Sequence, residues 1–303
     1  MIILNKVRNR LIYEIAPILT RISPMLNTQL LFYQKFGRKA NLENPQTLNE
    51  KILYLKLASY EKNSLIKQCA DKYAVREYIK NLGLEKILVP LIAVYQEPEE
   101  INWDILPMQF ALKWNFGCGF NIICKDKSKL DINETTKQLK RWGKIKYYLS
   151  HSEMQYKDVE KRIIVEQYLQ SDKGTPLPDD YKFYCFNGNV RYILVCANRR
   201  YDGPHAVADY VFFDRTWNIM PYSEYAINNK NKICIEKPQL LDEAIEIAEK
   251  LSMPFSFVRT DLYLLDNKIY FGELTFTPAG GMDTDLFSGD EEMGKCLNIE
   301  IEK

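Results

Sequence analysis

Two short runs near the end of the chain carry its sharpest chemistry. The first, Phe257 to Tyr263, holds Arg259 and Asp261; the second, from Ile269, holds Glu273, with Asp266-Asn267 between them. Strand-like runs around a two-residue turn signal a β-hairpin, and pairing can set Asp261 beside Glu273. Two like charges held close repel. A bound cation is the usual compensation, and hard oxygen donors point to Mg²⁺. Arg259, two residues before Asp261, projects to the same strand face and can reach a phosphate. The same residues also suit an ordinary hairpin with solvated charges.

Four further units have types and spacings that fit a phosphate or nucleotide. Lys113 sits inside the apolar run Phe110-Ala111-Leu112-Lys113-Trp114, just before a loop containing Gly117 and Gly119. A buried ammonium is costly unless an anion meets it, and backbone N–H groups of a glycine loop can cradle phosphate oxygens. The loop joins two strands, which excludes a P-loop, and a plain hairpin with a snorkelling lysine fits as well. Lys72, in Ala70-Asp71-Lys72-Tyr73-Ala74-Val75-Arg76 near the start of a helix, can meet phosphate or simply stay solvated. Glu166 ends a β-branched strand, where it can bond an adenine amino group and a ribose. Asp180 and Lys182 share one strand face, and Arg199-Arg200 follow the next strand.

The elements that must position these groups alternate in kind. Asn44-Pro45-Gln46-Thr47 gives turn and cap chemistry ahead of a helix through Leu48, Ile52 and Leu55, and a second helix runs from about Ser64 to a stop near Gly83. Strands are predicted at 109–114, 121–124, 163–168, 181–186, 190–197 and 209–213. A polar helix-forming stretch covers about 131–161, a loop 199–206, and an amphipathic helix 239–251. Several tight hairpins among helices argue an α+β or α/β chain with partly antiparallel sheets. Its 303 residues allow more than one lobe. Lys plus Arg number 41 against 40 Asp plus Glu, so no general attraction to nucleic acid is expected. Seven cysteines without CxxC pairs point to reduced thiols in a cytosolic protein, with Cys118 expected to pack rather than react; two histidines, His151 and His205, make a zinc site improbable. Neither a cleavable leader nor a membrane span is expected. Charge is lopsided only over residues 1–39, where Lys6, Arg8, Arg10, Arg21, Lys35, Arg38 and Lys39 face one acid, Glu14. With interleaved apolar residues this is a basic amphipathic stretch, either packed on the protein body or resting on a membrane surface.

Taken in order, the units resemble the ATP-grasp superfamily. The final hairpin is similar to that of D-alanine–D-alanine ligases and the Asp-x-Lys strand to that of ribosomal-protein glutamate ligases. More closely, residues from about 31 to 282 resemble the TupA-like ATP-grasp family, linked to teichuronopeptide and other surface-polysaccharide synthesis. Phe36-Gly37-Arg38, Thr47 to Ile52, Ala70 to Arg76, Lys113 to Ile123, Asp180 to Gly188 and Glu273 to Gly281 carry the likeness.

The resemblance implies an α+β ATP-grasp fold, two lobes gripping ATP between antiparallel sheets behind a helical N-terminal extension. Its divisions would be 1–43 (extension), 44–108 (helical pre-grasp region), 109–170 (small lobe) and 171–303 (large lobe). It implies Lys72 and Lys113 on ATP phosphates, the loop Gly117, Cys118, Gly119 and Phe120 closing over them, and Glu166 with the backbone of Gln167 and Leu169 on adenine and ribose. Asp261 and Glu273 would bind Mg²⁺, Arg259 would steady the transferring phosphoryl group, and Asp180, Lys182 and Arg199 would face the acceptor. Thr275 stands where the superfamily has a metal-binding Asn, a weaker ligand. The implied reaction joins a carboxylate to an amine through an acyl phosphate, and the substrates expected from the resemblance are an amino acid or other amine and a carboxylated sugar. A glycosyltransferase using Asp283-Thr284-Asp285, or a sugar phosphotransferase, is the alternative. A cytoplasmic site at the inner membrane face, with contact through residues 1–23, would suit a lipid-linked precursor.

Overall fold

The computed structural model describes residues 2–300 apart from 172, 173, 176, 203, 204 and 231; for residues 2–11, 201, 202, 205 and 206 it describes the backbone alone. The chain opens with α1 (Ile2–Ile22) and α2 (Pro24–Phe36), parted only by Ser23, whose hydroxyl caps α2 by accepting from the Leu26 N–H while Pro24 takes the first helical position. Thr47 then starts α3 (Leu48–Leu55) with a full capping box: Glu50 answers it from the third position. Glu50 also collects Arg38 and the N–H groups of Asn41 and Gln46, so one buried carboxylate sets the entry to the helix.

After a π-helical turn, Lys56–Tyr60, come α4 (Ser64–Ala70) and α5 (Val75–Asn81). The single helix predicted from Ser64 to Gly83 is thus broken at Asp71. The reason is local: the Asp71 carboxylate accepts from the N–H groups of Tyr73 and Ala74, at 2.7 and 3.1 Å, and this turn outcompetes the helix. Lys72 therefore lies in a bend between helices, not in one.

Four strands, β1 (Leu91–Tyr95), β2 (Phe110–Trp114), β3 (Asn121–Cys124) and, after α6 (Ile132–Gly143) and α7 (Tyr148–His151), β4 (Ile163–Gln167), form an antiparallel sheet in the order β1-β4-β2-β3. The larger sheet follows: β5 (Asp180–Phe186), β6 (Asn189–Asp202), β7 (His205–Asp214) and β8 (Ile219–Met220), then α8 (Glu224–Asn228), α9 (Leu241–Ser252), β9 (Phe257–Leu265) and β10 (Lys268–Thr275). Its order is β10-β9-β5-β6-β7-β8, again antiparallel throughout, and α10 (Gly289–Cys296) closes the described fold. The loop predicted at 199–206 is mostly strand. β6 and β7 run on past a bulge between Ala197 and Arg200, where Asn198 takes a φ of 51°. Gly203 and Pro204, and the side chain of His205, lie outside the described residues.

Each sheet has its own core. Phe110, Leu112, Trp114, Ile163 and Val165 pack with Leu139 of α6. Period-two alternation splits the large sheet: Phe183, Ile193, Val258 and Leu262 pack on Ala244 and Leu251 of α9, while Tyr184, Leu194, Phe212 and Phe257 pack with Leu48 and Ile52 of α3 and Met293 of α10. The second face also carries Lys182, Arg259 and Asp261. The α10–α3 contact is backbone on backbone: a Cβ on Gly294 would collide with the Gln46 carbonyl oxygen and stand 2.9 Å from the Leu48 nitrogen. Gly294→Ala must therefore pry the helices apart. It is expected to lower stability by about 2–3 kcal/mol, seen as a reduced urea midpoint at unchanged m-value; an unmoved midpoint would deny the packing that role.

Candidate active site

The final hairpin begins as the sequence predicts, with Asp266 and Asn267 both at positive φ in a two-residue turn. A two-residue turn in regular register would put Gly272 opposite Asp261 and turn Glu273 toward the core face. A bulge between Phe271 and Glu273 shifts the pairing by one residue and sets Glu273 against Asp261. Gly272 is the residue that permits it: a Cβ there would lie 2.9 Å from the Asp261 carbonyl oxygen.

The like charges so created are compensated by the protein's own cations. Arg259 lies two-pronged on Asp261, with Nε and Nη2 each 2.7 Å from a carboxylate oxygen. Lys182, register partner of Asp261, donates to Asp261 at 2.5 Å and to Asp180 at 2.6 Å. Arg259 reaches on to Glu273 and to the Thr275 hydroxyl, which itself donates to Glu273 at 2.9 Å. Burial pushes the Glu273 carboxyl up, but Lys72, Arg259 and Lys182, with the Thr275 hydroxyl, outweigh it and hold it down at about 2. Burial works against the charge on Lys182, yet Asp180 and Asp261 keep its ammonium well above the usual range. One oxygen of this network has no partner: Asp180 Oδ1, on a carboxylate only 6% exposed.

The small sheet brings the second set. Lys113 on β2 donates at 2.7 Å to Glu166 on the neighbouring β4. Arg76 of α5, a residue that sequence reasoning passed over, binds the other oxygen of Glu166 at 3.2 Å and the Val89 carbonyl at 2.9 Å. Burial pulls Lys113 down, but Glu166, Tyr263 and Glu273 together hold it above its ordinary value. Asn115, fully buried, was also missed. Its amide donates to Asp71 and to the Glu160 carbonyl, its side-chain oxygen accepts from the Arg162 N–H, and its backbone oxygen accepts from the Lys72 N–H. This Asp71–Asn115 clasp holds Lys72 between the two sheets, with its ammonium on the Gly117 carbonyl and 3.9 Å from Glu273.

The loop Gly117, Cys118, Gly119, Phe120 departs from expectation in two places. Cys118 does not pack; it is exposed at the tip. The Phe120 ring packs on Phe116, Trp142 and Tyr147, at 5.4, 5.8 and 5.8 Å between centroids, and so anchors the loop. Both glycines have positive φ, and a Cβ on Gly117 would strike the Tyr147 ring at 2.7 Å.

Four cavities meet around these groups. A slot of about 570 Å³ is lined by Ala111, Lys113, Gln167, Leu169, Leu177 and Tyr263. The Gln167 N–H is committed to the Pro90 carbonyl, so that donor is not free for a base. The slot opens to about 210 Å³ lined by Lys72, the glycine loop, Asp180, Lys182, Asp261 and Glu273. Arg199, expected to face an acceptor, lines both of these spaces and donates to the Pro178 carbonyl. Beyond Lys182 and Arg259 lies a space of about 700 Å³ walled by Tyr184, Tyr210, Phe212, Glu224, Asp283 and Asp285. Asp283-Thr284-Asp285 follows the 278–281 turn, not a strand, so it lacks the strand-end setting a sugar-nucleotide metal motif needs. A fourth space of about 340 Å³ touches Thr275, His151 and Glu153. Beneath it Lys56 donates to the His151 and Gly280 carbonyls, and burial holds its ammonium down at about 8.

Two antiparallel sheets that present lysines from both sides to a slot ending at paired carboxylates define a nucleotide-gripping protein of the ATP-grasp class. Residues 50–298 match the family model described as TupA-like ATPgrasp, and the chain belongs to that family. No curated protein sequence matches it. Among solved structures, D-alanine–D-alanine ligase from Bacillus anthracis is 15% identical with a TM-score of 0.48, over 75% of this chain and 63% of that one. N5-carboxyaminoimidazole synthetase from Staphylococcus aureus, complexed with ADP, is 14% identical with a TM-score of 0.47, over 85% and 61%. L-amino acid ligase from Bacillus licheniformis is 13% identical with a TM-score of 0.42, over 77% and 49%. The chain thus spans less than two thirds of each, and its family membership rests on the sequence match.

Two outcomes follow from the charge network. Glu166→Ala strands two partly buried cations and is expected to cost about 3 kcal/mol in urea unfolding; a loss no larger than that of a surface ion pair would deny the coupling. Because Glu273 is held below its unfolded value, its contribution to stability is full above pH 4.5 and is lost as pH falls through about 2. Lys72→Met should make that acid limb shallower, which acid titration of both proteins by circular dichroism reads directly.

Proposed function

We propose that the protein is an ATP-dependent carboxylate–amine ligase that forms an amide through an acyl phosphate. The observation that carries this reading is the row Lys182, Asp261, Glu273 on one sheet, with Arg259 across it, facing Lys72 and Lys113. It sits at the mouth of a slot with the size and apolar walls for a nucleoside. In this reading adenine enters between Ala111 and Leu177, with Glu166 and the backbone of Leu169 at its edge, the Gln167 N–H being held by Pro90. Lys72, Lys113 and the amides of Gly117 to Phe120 would meet the phosphates, and Arg199 would lie between base and phosphates.

The family implies Mg²⁺, and the residues fit it. The oxygens of Glu273, Asp261 and Thr275 are hard donors, and the unpartnered Asp180 Oδ1 leaves the cluster short of one positive neighbour. Among the described residues no three His, Cys, Asp or Glu side chains converge on a point, which suits an ion held by one or two carboxylates together with substrate phosphates. When bound, Mg²⁺ would neutralise the charge that builds on the phosphoryl oxygens.

The chain's own part is positioning and charge. Lys182 lines both the nucleotide space and the 700 Å³ cavity, and Arg259 lines the latter, so a carboxylate drawn to them from that cavity would present its oxygen to the γ-phosphorus. Attack breaks the bond to ADP; an amine then adds at the acyl carbon and phosphate leaves, its charge still facing Arg259 and Lys182. The tyrosine-rich wall of the cavity suits a sugar ring, and its acids Glu224, Asp283 and Asp285 suit an approaching ammonium. A carboxylated sugar and an amino acid or other amine, joined on the cytoplasmic side during surface-polysaccharide assembly, is the substrate pair we infer.

Calorimetry tests this first. Wild type should bind ATP with micromolar affinity only with Mg²⁺, and Glu273→Ala should lose that dependence. Lys113→Ala and Glu273→Ala should release ADP at least about a thousandfold more slowly than wild type while melting cooperatively. Full turnover in either variant, or binding of a nucleotide sugar in place of ATP, would end the ligase reading.

A further inference from the structure

The first two helices present two unlike faces. Inward, Ala16, Thr20, Asn27, Thr28, Leu31 and Phe32 are buried. Asn27 donates to the Thr20 and Ser152 hydroxyls and to the Ser150 carbonyl, and Thr20 donates to the Leu149 carbonyl, so a polar clasp fixes the bend at Ser23 onto α7. Leu31 and Phe32 pack with Leu53 and Met282. Outward, an apolar stripe takes Ile15, Ile18 and Ile22 at helical spacing along α1 and is continued by Met25 and Leu26 in the first turn of α2, beyond Ser23, whose backbone is extended. Every residue of the stripe is apolar and open to solvent: Ile15 is 42% exposed, Ile18 56%, Ile22 70%, Met25 54% and Leu26 56%. Such a stripe on a helix pair held rigidly from behind is not explained by folding.

Charge says what covers it. No acid occurs between Ile15 and Leu42. Of the cations there, Arg21 is exposed among the stripe residues and Lys39 is exposed after α2, while Arg38 is paired with Glu50 and Lys35 donates to the Met282 carbonyl. Glu14 is the one acid before them against Lys6, Arg8 and Arg10, whose side chains lie outside the described residues. Two copies meeting through this face would bring like charges together; an anionic surface would relieve them. No described helix is long and apolar enough to cross a membrane. We propose that the outer face of α1 and α2 lies flat on an anionic lipid surface, with Ile18, Ile22, Met25 and Leu26 entering the boundary between headgroups and acyl chains and Arg21 facing lipid phosphates. The inference stands apart from the ligase reading and would hold if ATP binding failed.

The test is sedimentation of the full chain with vesicles of equal parts phosphatidylcholine and phosphatidylglycerol. The protein should pellet with them, and much less with phosphatidylcholine alone or at high salt. The double variant Ile18→Glu, Ile22→Glu should bind at least about tenfold more weakly, and Arg21→Glu about fivefold. Both should keep the wild-type melting temperature and ATP binding without vesicles, since these side chains are solvent-exposed and remote from the cavities. Equal partition of the double variant would overturn the proposal. So would a wild-type dimer that the double variant splits in analytical ultracentrifugation, which would assign the stripe to a second copy.

Discussion

The guanidinium of Arg259 laid flat on Asp261 is the contact on which the site depends. Three carboxylates, Asp180, Asp261 and Glu273, share the face of one sheet, and without cations among them that face could not stay ionised out of bulk water. Arg259 and Lys182 supply the charge from the same sheet, so the network is held by strand register rather than by flexible loops. In the ligase reading that rigidity would leave donors and charges already in place, with little left to reorganise. It also makes Arg259 doubly placed, as the partner of Asp261 and as a wall of the 700 Å³ cavity.

The sequence was most legible where chemistry and local pattern coincide. The hairpin from Phe257, the strand around Lys113, the capping box at Thr47 and the amphipathic α9 are written in alternation, period and turn residues. The pairing of Asp261 with Glu273 was readable only as an outcome. Simple alternation from a two-residue turn turns Glu273 the other way, and the correction lies in Gly272, a lone glycine inside a strand, which is the one local sign of a bulge. The break at Asp71 was hidden for a related reason. Helical spacing continues through it, while the competing bonds come from a side chain and from Asn115, some forty residues on. Arg76 and Asn115 were missed because long-range partners leave no periodic trace.

The small sheet is tied to the α4–α5 helices through saturated polar contacts. Asn115 spends its side chain and backbone on three segments at once, tying the glycine loop to Asp71 and to the entry of β4. Glu166 does the same with Arg76 and Lys113, linking α5 to the small sheet. A buried polar group that satisfies several partners fixes one arrangement among many of similar hydrophobic content, and here that arrangement brings Lys72 and Lys113 toward Asp180, Asp261 and Glu273 of the large sheet.

The ammonium of Lys72 rests on the Gly117 carbonyl, and this has a consequence for how the loop is held. An ammonium carries three N–H donors, so holding the loop by one of them leaves others for a second acceptor. If a phosphate is that acceptor, as in the ligase reading, loop and ligand would be clasped by one nitrogen at once. An uncharged nucleoside, however well it fits the slot, would leave that second grip empty.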